Sequence, residues 1–195
     1  MMIHTSPIDD FVRSRAALVL AFAWGLAEAT FFFIVPDVLL TLIACRKLRP
    51  ALKASVATLI GALLGGALMY ALGKSDANFA RILLDHVPAI EPSLIRRVAD
   101  QINESGLLAV MLGPLKGIPY KIYAVECGAR RGGFVAFVLI SIPARYVRFF
   151  LAAAVARLIA KVIQPLTHGR AAIELAILVL VWVAFYGFYF TRFGW

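Results

Sequence analysis

Hydrophobic and polar positions fall in long blocks along this chain, not at the short period of a soluble strand or amphipathic helix. Apolar blocks cover 16–45, 54–73, 106–128, 133–160 and 171–190, with the main polar stretches at 1–15, 46–53 and 74–105. A membrane-spanning helix needs about 20 apolar residues. The blocks 54–73, 133–160 and 171–190 meet that requirement and are expected to be full transmembrane helices. The block 16–45 is too long for one span and too short for two, and its only charges are Glu28 and Asp37. Val35-Pro36-Asp37 punctuates it, because the residue before a proline avoids the helical region and Asp caps a following helix. A re-entrant hairpin broken at Pro36 is expected, with one long tilted and kinked helix as the alternative.

The block 106–128 is broken more severely. It holds Pro114, Pro119, Gly113, Gly117 and Gly128, and the charges Lys116, Lys121 and Glu126. Each proline removes a backbone donor and clashes with the preceding turn. Carbonyls freed at membrane depth are tolerated only where protein or a wet cavity satisfies them. A second re-entrant hairpin, lining a polar cavity, is the simplest reading. The stretch 74–105 carries Leu94, Ile95, Val98 and Ile102 on one helical face, after Pro92 at a helix start. It predicts an amphipathic helix on the membrane surface, or one packed on the protein's own loops. Residues 1–15 read as a polar cytoplasmic lead-in with a short interfacial helix.

Composition agrees. Of 195 residues 62% are apolar and mean hydropathy is +0.87, against about 45–50% apolar for soluble domains. The fold class expected is a single-domain, all-α, multi-pass membrane protein, placed in the inner membrane. A net charge of +9 reflects basic loops and anionic headgroups, not nucleic acid. If both broken blocks return to the side they left, nine Lys and Arg residues share one side, including Arg13, Arg46, Lys47, Arg49 and Lys53, against seven opposite. That asymmetry favours two hairpins and puts the 46–53 cluster, read as a turn, in the cytoplasm. Ala27-Glu28-Ala29 mimics a signal-peptidase site, but Phe31 to Val35 continue the apolar run, so the segment is expected to be retained. Cys45 and Cys127 form no disulfide framework. His4, His86 and His168 have no ligand spacing, so neither metal nor cofactor is expected. Ala57, Gly61 and Gly65 recur every fourth position, which suits close packing within the chain or, secondarily, a homo-oligomer.

The chemistry lies in charges where a bilayer disfavours them, at roughly 2.5–3.5 kcal/mol each. The bases Lys116, Lys121, Arg145 and Arg148 are candidates to bind a phosphate headgroup of a membrane lipid. The acids Glu28, Asp37 and Glu126 are candidate proton carriers. The competing reading is a set of salt bridges that holds broken helices together. No nucleophile–base pair or phosphate loop points to an enzyme.

An acid-bearing segment (Ala23 to Glu28), a Pro36-Asp37 break, a Gly-rich span, a polar linker, a Pro/Lys-broken segment and a helix bearing Arg145-Tyr-Val-Arg148 follow one another. This order resembles the DedA family, also called the VTT or SNARE-associated Golgi protein superfamily, and most of all its short YqaA-type branch. The resemblance implies two re-entrant helices entering from opposite faces, and translocation or scrambling of lipids with a role for the proton motive force. It maps the family's two essential acids onto Glu28 and Asp37, and the arginines around its second break onto Lys116 and Lys121. Both are Lys here. The expected function is therefore a lipid translocase or scramblase for a phosphate-bearing headgroup, proton-coupled. A proton-coupled transporter of a small solute and a non-transporting membrane-organising factor are the alternatives.

Overall fold

A computed structural model describes the backbone of residues 7–167 and 170–193, with side chains through Thr191. His4, His168 and the Arg192 side chain lie outside the described residues. The described elements are α-helices and one 3₁₀ turn. Three helices are long and apolar enough to cross a membrane: Leu48–Ser75, Phe134–Ile163 and one beginning at Ala171.

Helix α1 (Pro7–Arg13) leads into α2 (Arg15–Glu28), whose N-terminus is capped by Ser14 Oγ accepting from the Ala17 amide at 3.2 Å. The chain breaks over 29–36 and resumes as α3 (Asp37–Arg46). Pro36, not Asp37, occupies the cap position of α3, and the Asp37 side chain is spent on another helix. Lys47 alone separates α3 from α4 (Leu48–Ser75). The basic cluster 46–53 is therefore not a turn. Pro50 sits in the first turn of α4, where the amide it lacks has no helical acceptor anyway, and Lys and Arg propagate a helix well.

Helix α4 is the axis of the molecule. Gly25 of α2 lies on the Thr58 backbone, and Gly61 of α4 lies on the Phe22 backbone. On another face Gly73 meets the backbone of Val125. The small-residue row is used inside the chain, because only glycine lets two helix backbones approach this closely.

The linker 74–105 folds as two helices, α5 (Ala77–Asp85) and α6 (Pro92–Ser105). The expectation that α6 lies on the membrane is corrected: Ile95, Val98 and Ile102 are buried, turned toward the next two helices. Burying them there removes more apolar surface from water than a grazing contact with headgroups. The exposed apolar side chains of the linker are instead Phe79, Ile82 and Leu83 of α5.

The second broken block runs as α7 (Leu107–Leu112), a 3₁₀ turn over Pro114–Lys116, and α8 (Tyr120–Ala129). Gly117 between them has φ 84°, a left-handed conformation open to glycine at little cost. Helix α9 (Phe134–Ile163) continues through Pro143, and α10 (Ala171–Phe193) follows. The ends of each broken block meet. Arg46, at the end of α3, bonds Asp9 of α1 at 3.1 Å. Arg130, just after α8, bonds Asn103 of α6 at 3.0 Å.

Candidate functional site

Both breaks deliver ionisable side chains to one cluster. Glu28 is the last residue of α2, Asp37 the first of α3, and Lys121 the second of α8. Arg145 and Arg148 stand three residues apart on α9, hence on one face. Arg145, fully buried, donates from Nη2 to Glu28 Oε2. Its guanidinium carbon lies 4.9 Å from the Tyr120 ring centre and 4.8 Å from that of Phe149. The cation thus lies against two aromatic rings, a contact worth about 2 kcal/mol when desolvated. Arg148 donates to Asp37 Oδ2 from Nη2 at 2.9 Å and from Nε at 3.2 Å.

Lys121 is 2% exposed. It donates to the Phe32 carbonyl at 2.7 Å, which uses one of its three N–H groups. No described carboxylate forms an ion pair with it. Three cations (Lys121, Arg145, Arg148) therefore face two acids (Glu28, Asp37). A cavity of about 310 Å³ opens on this cluster. Glu28, Asp37, Lys121 and Arg148 line it, Trp182, Tyr186 and Tyr189 of α10 wall one side, and Val87, Pro88 and Ile90 from the α5–α6 loop wall another.

The seven charges singled out in the sequence separate into four groups. Glu28, Asp37, Lys121 and Arg148 share the cavity. Arg145 stands behind Glu28, against aromatic rings. Lys116 is exposed at the end of the 3₁₀ turn, and is not brought to the cavity. Glu126 is buried elsewhere: it accepts from Arg81 Nε at 2.7 Å and Nη2 at 2.9 Å, and from Arg130. Arg130 also bonds the Ala99 carbonyl of α6 at 3.0 Å. Glu126 is a clasp that ties α5 and α6 to α8. Its hydrogen bonds hold the Arg81 guanidinium above its ordinary pKa. Glu126→Gln is expected to loosen the linker by about 1–3 kcal/mol. Hydrogen exchange in α5 and α6 would then quicken while α2 and α9 stay protected; unchanged exchange in α5 and α6 would refute the clasp.

Helix α10 is what reasoning from sequence missed. Its aromatic end suits an interfacial belt by composition. Three polar contacts instead dock it: Glu174 accepts from Arg46 at 2.9 Å, Trp182 Nε1 donates to Thr41 Oγ1 at 3.0 Å, and Tyr186 Oη accepts from the Val35 amide at 2.9 Å. The available signal was the four-residue spacing of Trp182 and Tyr186, which places both on one face of an otherwise apolar helix.

No family model and no solved structure matches the chain. A protein of Haemophilus influenzae described as "Uncharacterized protein" is 28% identical over 129 residues, or 66% of each chain. The match thus covers just under two thirds of that relative's length.

Proposed function

We propose that this protein moves a phosphate-bearing lipid headgroup across the inner membrane through the 310 Å³ cavity, as the members of the DedA family it resembles are thought to do. In this reading the two broken blocks are re-entrant hairpins that enter from opposite faces. Two facts support that geometry. Helices α2 and α3 have 14 and 10 residues, about 21 and 15 Å of rise, short of a hydrocarbon core of about 30 Å. The two ends of each block also meet, Arg46 on Asp9 and Arg130 on Asn103.

The observation that carries the headgroup assignment is the pairing of the cluster: with Glu28 bonded to Arg145 behind the cavity and Asp37 to Arg148, Lys121 at the cavity is left without a carboxylate in ion-pair contact. An uncompensated charge in low dielectric is costly, and a monoanion bound at Lys121 and Arg148 would relieve it. Arg148 already presents Nε and Nη2 to one carboxylate oxygen, the same fork that binds phosphate. Phosphate arriving there displaces Asp37. In this scheme the freed Asp37 exchanges protons as headgroups enter and leave, which couples headgroup movement to protons. Glu28 and Asp37 are the proton-exchanging acids of this scheme, Arg145 positions Glu28, and Lys116 and Glu126 take no part.

The test is translocation of fluorescent phosphatidylglycerol in proteoliposomes, with and without a pH gradient. Lys121→Ala and Arg148→Ala are expected to slow flipping about 100-fold, the loss of about 2.7 kcal/mol of charge-assisted hydrogen bonding. Arg148→Lys should recover part of the rate. Flipping at the parental rate in both alanine variants would remove the cavity from the path.

A further inference from the structure

The cavity adjoins a longer apolar groove of about 760 Å³. The two share Phe33, Trp182 and Tyr186. The groove runs between α10 on one side and α2, the 29–36 break and α3 on the other. Leu42 and Leu175 line one end and Phe190 and Thr191 the other. From Leu175 to Thr191 along α10 is about 24 Å at 1.5 Å per residue. One leaflet of hydrocarbon is about 15 Å deep, half the core. The groove is thus longer than one leaflet, and the charged cavity borders it at Phe33, Trp182 and Tyr186.

The same three tethers that dock α10, Arg46–Glu174, Thr41–Trp182 and the Val35 amide to Tyr186, join it to α3 and the 29–36 break beside the groove. The spanning window of α10 has no residue buried. In a bilayer, apolar surface gains nothing by leaving lipid for protein, so apolarity alone would leave the groove to any passing chain. Its junction with Arg148 and Lys121 changes that. A phosphate held at those cations keeps its own tail beside the groove at high effective concentration.

We infer that the groove along α10 is the tail site of the transported lipid: one acyl chain of an anionic glycerophospholipid lies in it while the phosphate occupies the Arg148–Lys121 cavity. This inference rests on the headgroup reading above and names its substrate as a lipid held by both ends. From Tyr186 toward Leu175 the groove runs 11 residues of α10, about 16 Å, so one acyl chain can lie along that side for the depth of a leaflet while the headgroup sits in the cavity.

Gly187 makes this testable. It lines the groove, and a Cβ added there would meet nothing within 4 Å. Gly187→Trp therefore fills the groove without disturbing the backbone. The protein is placed in phosphatidylcholine vesicles containing a trace of phosphatidic acid with a diazirine near the acyl terminus. A parallel sample carries the same diazirine on phosphatidylcholine. After irradiation the labelled residues are mapped by mass spectrometry. Phosphatidic acid is expected to label the groove face of α10 and α3 about tenfold more than phosphatidylcholine. Both Arg148→Ala and Gly187→Trp should abolish that excess, and Gly187→Trp should slow flipping about tenfold.

Equal labelling by both lipids would make the groove an ordinary lipid-facing surface and overturn the inference, as would cross-linking of a second copy through α10. If Arg148→Ala stops flipping while labelling ignores the headgroup, the tail site alone falls. If labelling prefers phosphatidic acid and no lipid is flipped, the tail site stands and translocation falls.

Discussion

Glu28→Ala is expected to destabilise the protein by about 3–5 kcal/mol, the range for removing one partner of a buried ion pair. Arg145 is fully buried, and its only hydrogen-bond acceptor among the described residues is Glu28. Without that carboxylate a guanidinium is stranded between Tyr120 and Phe149. Removing both charges should cost far less, since Arg145→Met fills similar volume and leaves no unpaired cation. Glu28→Ala with Arg145→Met is therefore expected to be more stable than Glu28→Ala alone. The measurement is a double-mutant cycle by reversible unfolding in mild detergent. A coupling energy near zero would mean the pair does not hold α2 to α9. The double variant should also fail to flip lipid despite being folded, which separates the pair's structural part from its part in transport.

Gly73→Val is expected to be worse, with a loss above about 4 kcal/mol and little folded protein recovered. A Cβ at position 73 lands on the backbone carbonyl of Val125. Neither α4 nor α8 can yield there by turning a side chain, because both contacting groups are main chain. The two helices would have to part, and Tyr120 to Glu126, buried throughout, would lose their packing and move the Lys121 and Glu126 anchors with them. Gly187→Ala is the control. That position is open, and replacing a mid-helix glycine is expected to stabilise by up to about 1 kcal/mol. Size-exclusion profiles and unfolding midpoints of the two variants decide it. A well-folded Gly73→Val protein would show that α8 does not sit against α4 as described.

The charges at membrane depth were legible in the sequence because each is conspicuous in an apolar block. Their pairing was not. Glu28 and Arg145 are 117 positions apart and Asp37 and Arg148 are 111 apart, and no local pattern couples such positions. Lys116 and Lys121 flank the same break and read alike from sequence. The 3₁₀ turn leaves the first exposed, and the first turn of α8 buries the second. Glu126 looked like a third intramembrane acid because its partner, Arg81, lies 45 residues away in a stretch read only as a linker. The apolar faces of the linker were likewise visible, but which of α5 and α6 would turn its face inward depended on what stood opposite.

By itself the sequence determined that this is a helical membrane protein with three blocks long and apolar enough to span, and where the chain must break. Block length against bilayer thickness and the missing amide of each proline are local properties, so they survive without knowledge of the fold. Only the tertiary structure decided which cation answers which acid, that Lys121 stands unpaired beside a cavity, and that α10 walls that cavity and opens a groove along it. Those facts depend on helix crossings set by glycines meeting backbones far away in sequence, and burial at a crossing belongs to both helices at once.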